Sequence, residues 1–176
     1  MNSIIDFFLI WWLRSGRYRW SRLRCWLCER RYLKIPLPIT NSLEDIEACL
    51  KQVKWKREGL LHLYDSISYP QTTWIKKRDD CDGFASLAAE LLYRLSPDYR
   101  PVLITTIVRP IWASHTVCVF NNLQDSLWFF DNDKLKHENY QTYDGIAAKI
   151  SQRGKRLVCW DIRNHSTFDM IEFHRL

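Results

Sequence analysis

The longest regular hydrophobic pattern in the chain lies at Phe84, Leu87, Ala88, Leu91, Leu92 and Leu95, the spacing of one apolar helix face. Ser96-Pro97 closes it. A second helical stripe, Leu43, Ile46, Leu50 and Val53, predicts a helix over about 42–57, with Ser42 or Asn41 as cap and Glu44 and Asp45 in its first turn. Gly59 is a plausible end for it. Residues 60–78 contain Pro70 among mixed polar positions and read as irregular. Three runs rich in β-branched and aromatic residues follow, "VLITTIV" (102–108), "SHTVCVF" (114–120) and "SLWFFD" (126–131). The short linker "NNLQD" between the last two favours an antiparallel hairpin. A helix near 140–152 and a strand "RLVCWDI" (156–162) complete the pattern. Helices followed by strands in this order predict an α+β domain with helices packed on an antiparallel sheet.

The chain has 176 residues, of which 47% are hydrophobic, with nine Trp, enough to fill one sizeable core. The net charge of +6 is concentrated at the N-terminus. Residues 1–35 hold eight basic and two acidic side chains, whereas the remainder holds eighteen of each. This arm, "WWLRSGRYRWSRLRCWLCERRYL", places Trp20, Leu23, Trp26 and Leu27 at helical spacing and reads as a basic amphipathic helix. It is suited to an anionic membrane surface or a groove in a partner protein, with nucleic acid the least expected of the three, or it can fold back on its own domain. Pro36 and Pro38 force an extended segment and mark the boundary between arm (1–35) and body (36–176).

The run "IIDFFLIWWL" lacks a preceding basic region and a small-residue cleavage site, and is shorter than the ~20 residues of a membrane-spanning helix. With six cysteines and no convincing secretory signal, a cytoplasmic location is expected, peripheral membrane association remaining open through the arm.

The stretch "IKKRDDCDGFASLAAELL" (75–92) sets Cys81 at the start of the most regular helix. A helix N-terminus favours the thiolate, while Asp79, Asp80 and Asp82 oppose it by charge repulsion, so a nucleophilic Cys81 needs a base. His115 opens a predicted strand, and Asp131 ends the neighbouring one, where an antiparallel hairpin sets it across from His115. Taken singly, each residue has an ordinary reading: a buried thiol, a strand histidine, a turn aspartate continued by Asn132 and Asp133.

The segments "YDSISYPQTTWIKKRDDCDGFASLAAELL", "SHTVCVF" and "LWFFDND" resemble the transglutaminase-like cysteine peptidase superfamily, in particular its bacterial proteinase branch with a papain-like fold. The resemblance spans roughly residues 60–133 and implies Cys81 as nucleophile, His115 as general base and Asp131 as the residue orienting it, with Asn132 in an Asp-Asn pair. It departs at two positions. The usual glycine two before the cysteine is Asp79, and the acidic residue two after it is Gly83.

The implied chemistry is hydrolysis of an amide or peptide bond through a thioester, with a protein or peptide substrate and no required cofactor. Gln71, Trp74, Gln52 and Trp55 are candidates for the second oxyanion donor beside the Cys81 N–H. The alternative is a catalytically silent module that docks through its arm. Asp79, Asp80 and Asp82 are a weak Ca²⁺ candidate, more readily explained as helix-capping residues that face water. Cys25 and Cys28 lack a second pair at metal spacing, and His62, His137, His165 and His174 show no metal-binding pattern.

Overall fold

The computed structural model describes residues 2–56, 67–122 and 126–175. Four helices come first in the chain: α1 (Asn2–Trp11), α2 (Arg17–Arg24), α3 (Leu43–Leu50) and, after the short strand β1 (Lys54–Trp55), α4 (Pro70–Lys76). Strand β2 (Arg78–Asp79) leads into α5 (Cys81–Leu95). Strands β3 (Val102–Arg109), β4 (His115–Asn121), β5 (Leu127–Asp131) and β6 (Lys134–Tyr140) precede α6 (Tyr143–Ser151), and β7 (Arg156–Asn164) and β8 (Met170–Arg175) end the chain. The last six strands form one sheet in the order β6-β5-β4-β3-β7-β8, every neighbouring pair antiparallel. This is an α+β architecture.

Alternation along the strands sorts the sheet's side chains into two layers. Leu103, Cys118, Phe120 and Phe130 pack with Phe84, Leu87 and Leu91 of α5. Ile104, Val117, Val119, Phe129 and Ile162 pack with Ile146 and Ile150 of α6. The α5 stripe expected from the sequence is the one buried, apart from the half-buried Leu95.

Several elements differ from expectation. The helix predicted to about residue 57 stops at Leu50, because Lys54 and Lys56 donate backbone hydrogen bonds to the carbonyls of Lys77 and Asp79, both at 2.8 Å, which helical backbone could not do. Ser42 is the cap, accepting from Asp45 N at 3.1 Å. The expected helix end at Gly59 and the His62 position lie outside the described residues. Pro70, read as a mark of irregularity, starts α4 instead, since proline at the first helical position loses no bond. Strands β6 and β8 were not anticipated; they lie at the two sheet edges, β6 in a largely polar run and β8 in one that is half polar.

The N-terminal arm is helical without a break from Asn2 to Glu29, with π turns at Trp12–Gly16 and Cys25–Glu29. It lies against the body, and Ile10, Leu13 and Tyr18 join the same core as α5. The buried positions Leu13, Arg17, Ser21, Cys25 and Glu29 recur every four residues. In an uninterrupted α-helix each such step overshoots a full turn by about 40°, so the row would wander around the helix. The wider π turns absorb the excess and keep it on one side.

The expected apolar stripe is turned the other way. Trp20, Leu23, Trp26 and Leu27 are exposed, while polar side chains face the body. The cause is a set of buried partners. Arg163 donates to Asp161 at 2.7 Å, to the carbonyls of Leu13 and Arg14 in the first π turn at 3.0 and 3.1 Å, and to the Phe168 carbonyl at 3.1 Å, with its guanidinium 3.7 Å from the Tyr18 ring centre. Glu29 accepts from Tyr69 N at 3.1 Å and Thr72 Oγ1 at 3.0 Å, and Ser21 accepts from Ile67 N at 2.9 Å. Complete burial pushes the Asp161 carboxyl up to about 6 despite the opposing pull of Arg163. Because that pKa is raised, folding stability from this group is present at low pH and is lost as pH rises through about 6.

Arg163→Met leaves Asp161 buried without its cation and two arm carbonyls without their donor. It is expected to lower unfolding free energy by about 3–5 kcal/mol in urea titration. The same variant should make the arm the first site of limited proteolysis.

Candidate active site

The turn that presents Cys81 is built from carboxylates acting as backbone acceptors. Asp80 is the N-cap of α5, accepting from Asp82 N at 3.1 Å. Asp79 accepts from Thr73 Oγ1 at 2.6 Å and from Asp80 N at 3.0 Å. The Asp79 carboxylate lies against Gly83, where an added Cβ would come within 2.1 Å of it. The two departures from the family pattern therefore share one space: the carboxylate at 79 occupies the volume that a side chain at 83 would need. Asp82 forms a buried ion pair with Arg17 of the arm, and the Cys81 thiol lies 3.9 Å from Asp82 Oδ1.

The three aspartates were expected to face water and do not. All three are buried, since their oxygens are held by the cap, by Thr73 and by Arg17. Among the described residues the group with metal-ligand spacing is Asp80, Cys81 and Asp82, without Asp79. A Ca²⁺ ion prefers hard oxygen ligands over a thiolate, and at Asp82 it would compete with a guanidinium already in place.

His115 is the first residue of β4 and Asp131 the last of β5. The pairing Cys118↔Phe130 continues to place Asp131 opposite Val117, so Asp131 is the diagonal neighbour of His115, two residues from directly across. His115 Nε2 donates to Asp131 Oδ1 at 2.8 Å, and Arg153, just beyond α6, donates to Asp131 Oδ2 at 2.5 Å. Burial tends to raise the Asp131 pKa, but the bond and charge of His115, then of Arg153, outweigh it and lower it from 3.8 to about 2. An aspartate ionised at neutral pH can only accept, so Nε2 must bear the proton. Whenever the imidazole is in its neutral form, the lone pair then lies on Nδ1, the tautomer that a base requires. Since the folded pKa is depressed, this pair stabilises the fold above about pH 4 and the contribution is lost as pH falls toward 2.

Cys81 and His115 line one open cleft of about 540 Å³, with Trp55, Trp112, Asn132 and Arg153. That volume is within the range of small-molecule and peptide side-chain sites. Both residues also border a smaller cavity of about 40 Å³ whose far wall is Leu9, Trp12, Leu13 and Arg17 of the arm. Asn132 occupies a left-handed turn (φ 54°) and its Nδ2 lies 3.4 Å from Asp131 Oδ1.

Of the oxyanion candidates, Trp55 stands on the cleft wall. Gln71 is half-buried on α4, Gln52 accepts from Lys77 Nζ at 3.2 Å, and the Trp74 ring carries the Lys77 ammonium on its face. Arg17 and Arg153 are the site's neighbours that the sequence did not single out. No local signal could have found them, because each meets its carboxylate only through the tertiary fold.

The other singled-out residues lie elsewhere. Cys25 is buried against Glu29 and the Ile67 carbonyl, with burial raising its thiol pKa to about 12, whereas Cys28 is exposed. His137 packs edge-on to Trp128, His165 meets the Pro101 carbonyl, and His174 stacks on Trp160. Comparison of the chain with protein-family models and with curated proteins finds no match in either.

Two outcomes check this geometry. Gly83→Ala should destabilise the fold by about 1–3 kcal/mol in chemical denaturation, and Asp79→Ala in the same chain should recover part of the loss, because the clash has a single source. Arg153→Gln should raise the Asp131 carboxyl pKa, read by ¹³C NMR titration, and leave the His115 bond as the remaining cause of its depression.

Proposed function

We propose that the protein is a thiol hydrolase of the transglutaminase-like, papain-like type, in which Cys81 attacks the carbonyl of an amide or peptide bond. The observation that carries this reading is that His115, which lines the same cleft as Cys81, is bonded through Nε2 to an ionised Asp131 at 2.8 Å. His115 Nδ1 takes the thiol proton as the C–S bond forms. It returns that proton to the leaving amine as the C–N bond breaks, giving a thioester on Cys81. Water, deprotonated by the same nitrogen, then attacks the thioester carbonyl; the acid leaves and the thiol is restored. Negative charge on the carbonyl oxygen is met by the Cys81 N–H at the start of α5, with Trp55 and Asn132, both on the cleft wall, as side-chain candidates.

The buried pairing of Asp82 with Arg17 supports the same reading, since it offsets one of the acidic charges that would otherwise disfavour a thiolate at Cys81. The cleft is open, and the exposed Trp55 and Trp112 on its walls suit a protein or peptide substrate whose apolar side chains pack on indole. A silent docking module remains the competing function, and reactivity at Cys81 separates the two.

The test is covalent trapping by an electrophilic peptide, a vinyl sulfone, followed by mass mapping. Cys28 is the fair control, being exposed, whereas burial alone explains slow labelling at Cys118 and Cys159. Cys81 should be labelled far ahead of Cys28, and His115→Ala should slow Cys81 labelling by about 10²-fold or more. Equal rates at Cys28 and Cys81, unchanged in His115→Ala, would leave the silent module as the better account.

A further inference from the structure

The outward face of the N-terminal helix plays no part in the thiol site, and its chemistry is one-sided. On the side away from the buried positions Asp6, Leu9, Ile10, Leu13, Arg17, Ser21 and Cys25, the side chains of Ile4, Phe8, Trp11, Leu23, Trp26 and Leu27 are 47–67% exposed. The two acids of the arm, Asp6 and Glu29, are both turned inward and buried, Asp6 against Arg109 and Arg156 and Glu29 against Tyr69, Thr72 and Arg24. Exposed charge on the arm is therefore cationic throughout, Arg19, Arg30 and Arg31 among it.

We propose that this face lies in the plane of an anionic phospholipid bilayer, with the apolar side chains in the headgroup and acyl boundary and the arginines on lipid phosphates. Three features select lipid over a protein groove. The surface is the convex side of a helix about 40 Å long, at 1.5 Å per residue, and offers no concave fit. Its apolar content is concentrated in Trp, Phe, Ile and Leu beside arginine, the composition of interfacial helices. Its charge has one sign only, which complements an anionic surface. No helix among the described residues is long and apolar enough to cross a membrane, which fits an in-plane arrangement.

The full chain is tested by co-sedimentation with vesicles of phosphatidylcholine alone or with added phosphatidylglycerol. Binding to the anionic vesicles is expected, with a blue shift of tryptophan emission, and about tenfold or greater weakening on pure phosphatidylcholine or in Arg19→Glu/Arg30→Glu. Trp11→Ser/Leu27→Ser should weaken it comparably while leaving the thermal unfolding midpoint unchanged, since both side chains are exposed. Absence of binding to either vesicle overturns the proposal. So does binding that the apolar variant leaves intact, or a concentration-dependent dimer in light scattering that Trp11→Ser/Leu27→Ser abolishes, which would assign the face to a second copy. None of these outcomes bears on labelling at Cys81.

Discussion

The bond from His115 Nε2 to Asp131 Oδ1 is the contact on which the functional account depends, and it is a product of sheet register. Two antiparallel strands place a histidine at one strand start and an aspartate at the neighbouring strand end, diagonal across the ladder. A slip of one residue would send either side chain to the other face and break the pair. The apolar faces of Val117, Val119 and Phe129 under α6, and of Cys118, Phe120 and Phe130 under α5, hold that register. Core packing is thus what sets the tautomer of the imidazole.

A second constraint comes from buried charge. Arg163, Asp161, Arg17 and Asp82 are all nearly or fully buried; Asp161 pairs with Arg163 two residues along β7, while Arg163 to the arm carbonyls and Arg17 to Asp82 join segments that only the folded state brings together. Such pairs add little net stability over apolar packing but are severe on any alternative arrangement, because a displaced partner leaves a charge uncompensated. They explain why the arm presents its polar row inward and its tryptophans outward. The arm also reaches the site itself, since Arg17 meets the aspartate next to Cys81 and Leu9, Trp12 and Leu13 wall the small cavity behind it.

How much of this was legible in the chain follows from how local each signal is. The α5 stripe, the strands around His115 and Asp131, and the Ser42 cap are encoded by residues close in sequence, and they appear where periodicity and capping chemistry put them. Strand β6 was missed because an edge strand needs little apolar content, and α4 because its proline reads equally as helix start or helix breaker. The inversion of the arm was beyond reach: periodicity identifies which side of a helix is apolar, and only the distant acceptors of Arg17 and donors of Glu29 decide which side turns inward. Arg153 on Asp131 is of the same kind, a pairing across twenty-two residues and an intervening helix.

The claim that sulfur, imidazole and carboxylate act as one unit is tested most directly by a double-mutant cycle read as the alkylation rate of Cys81 at neutral pH. If the imidazole activates the thiol and the carboxylate works only through the imidazole, Asp131→Asn slows alkylation in the parent chain and adds nothing once His115 is Ala. Equal slowing by Asp131→Asn in both backgrounds would mean that the carboxylate acts independently of the histidine, contradicting the account.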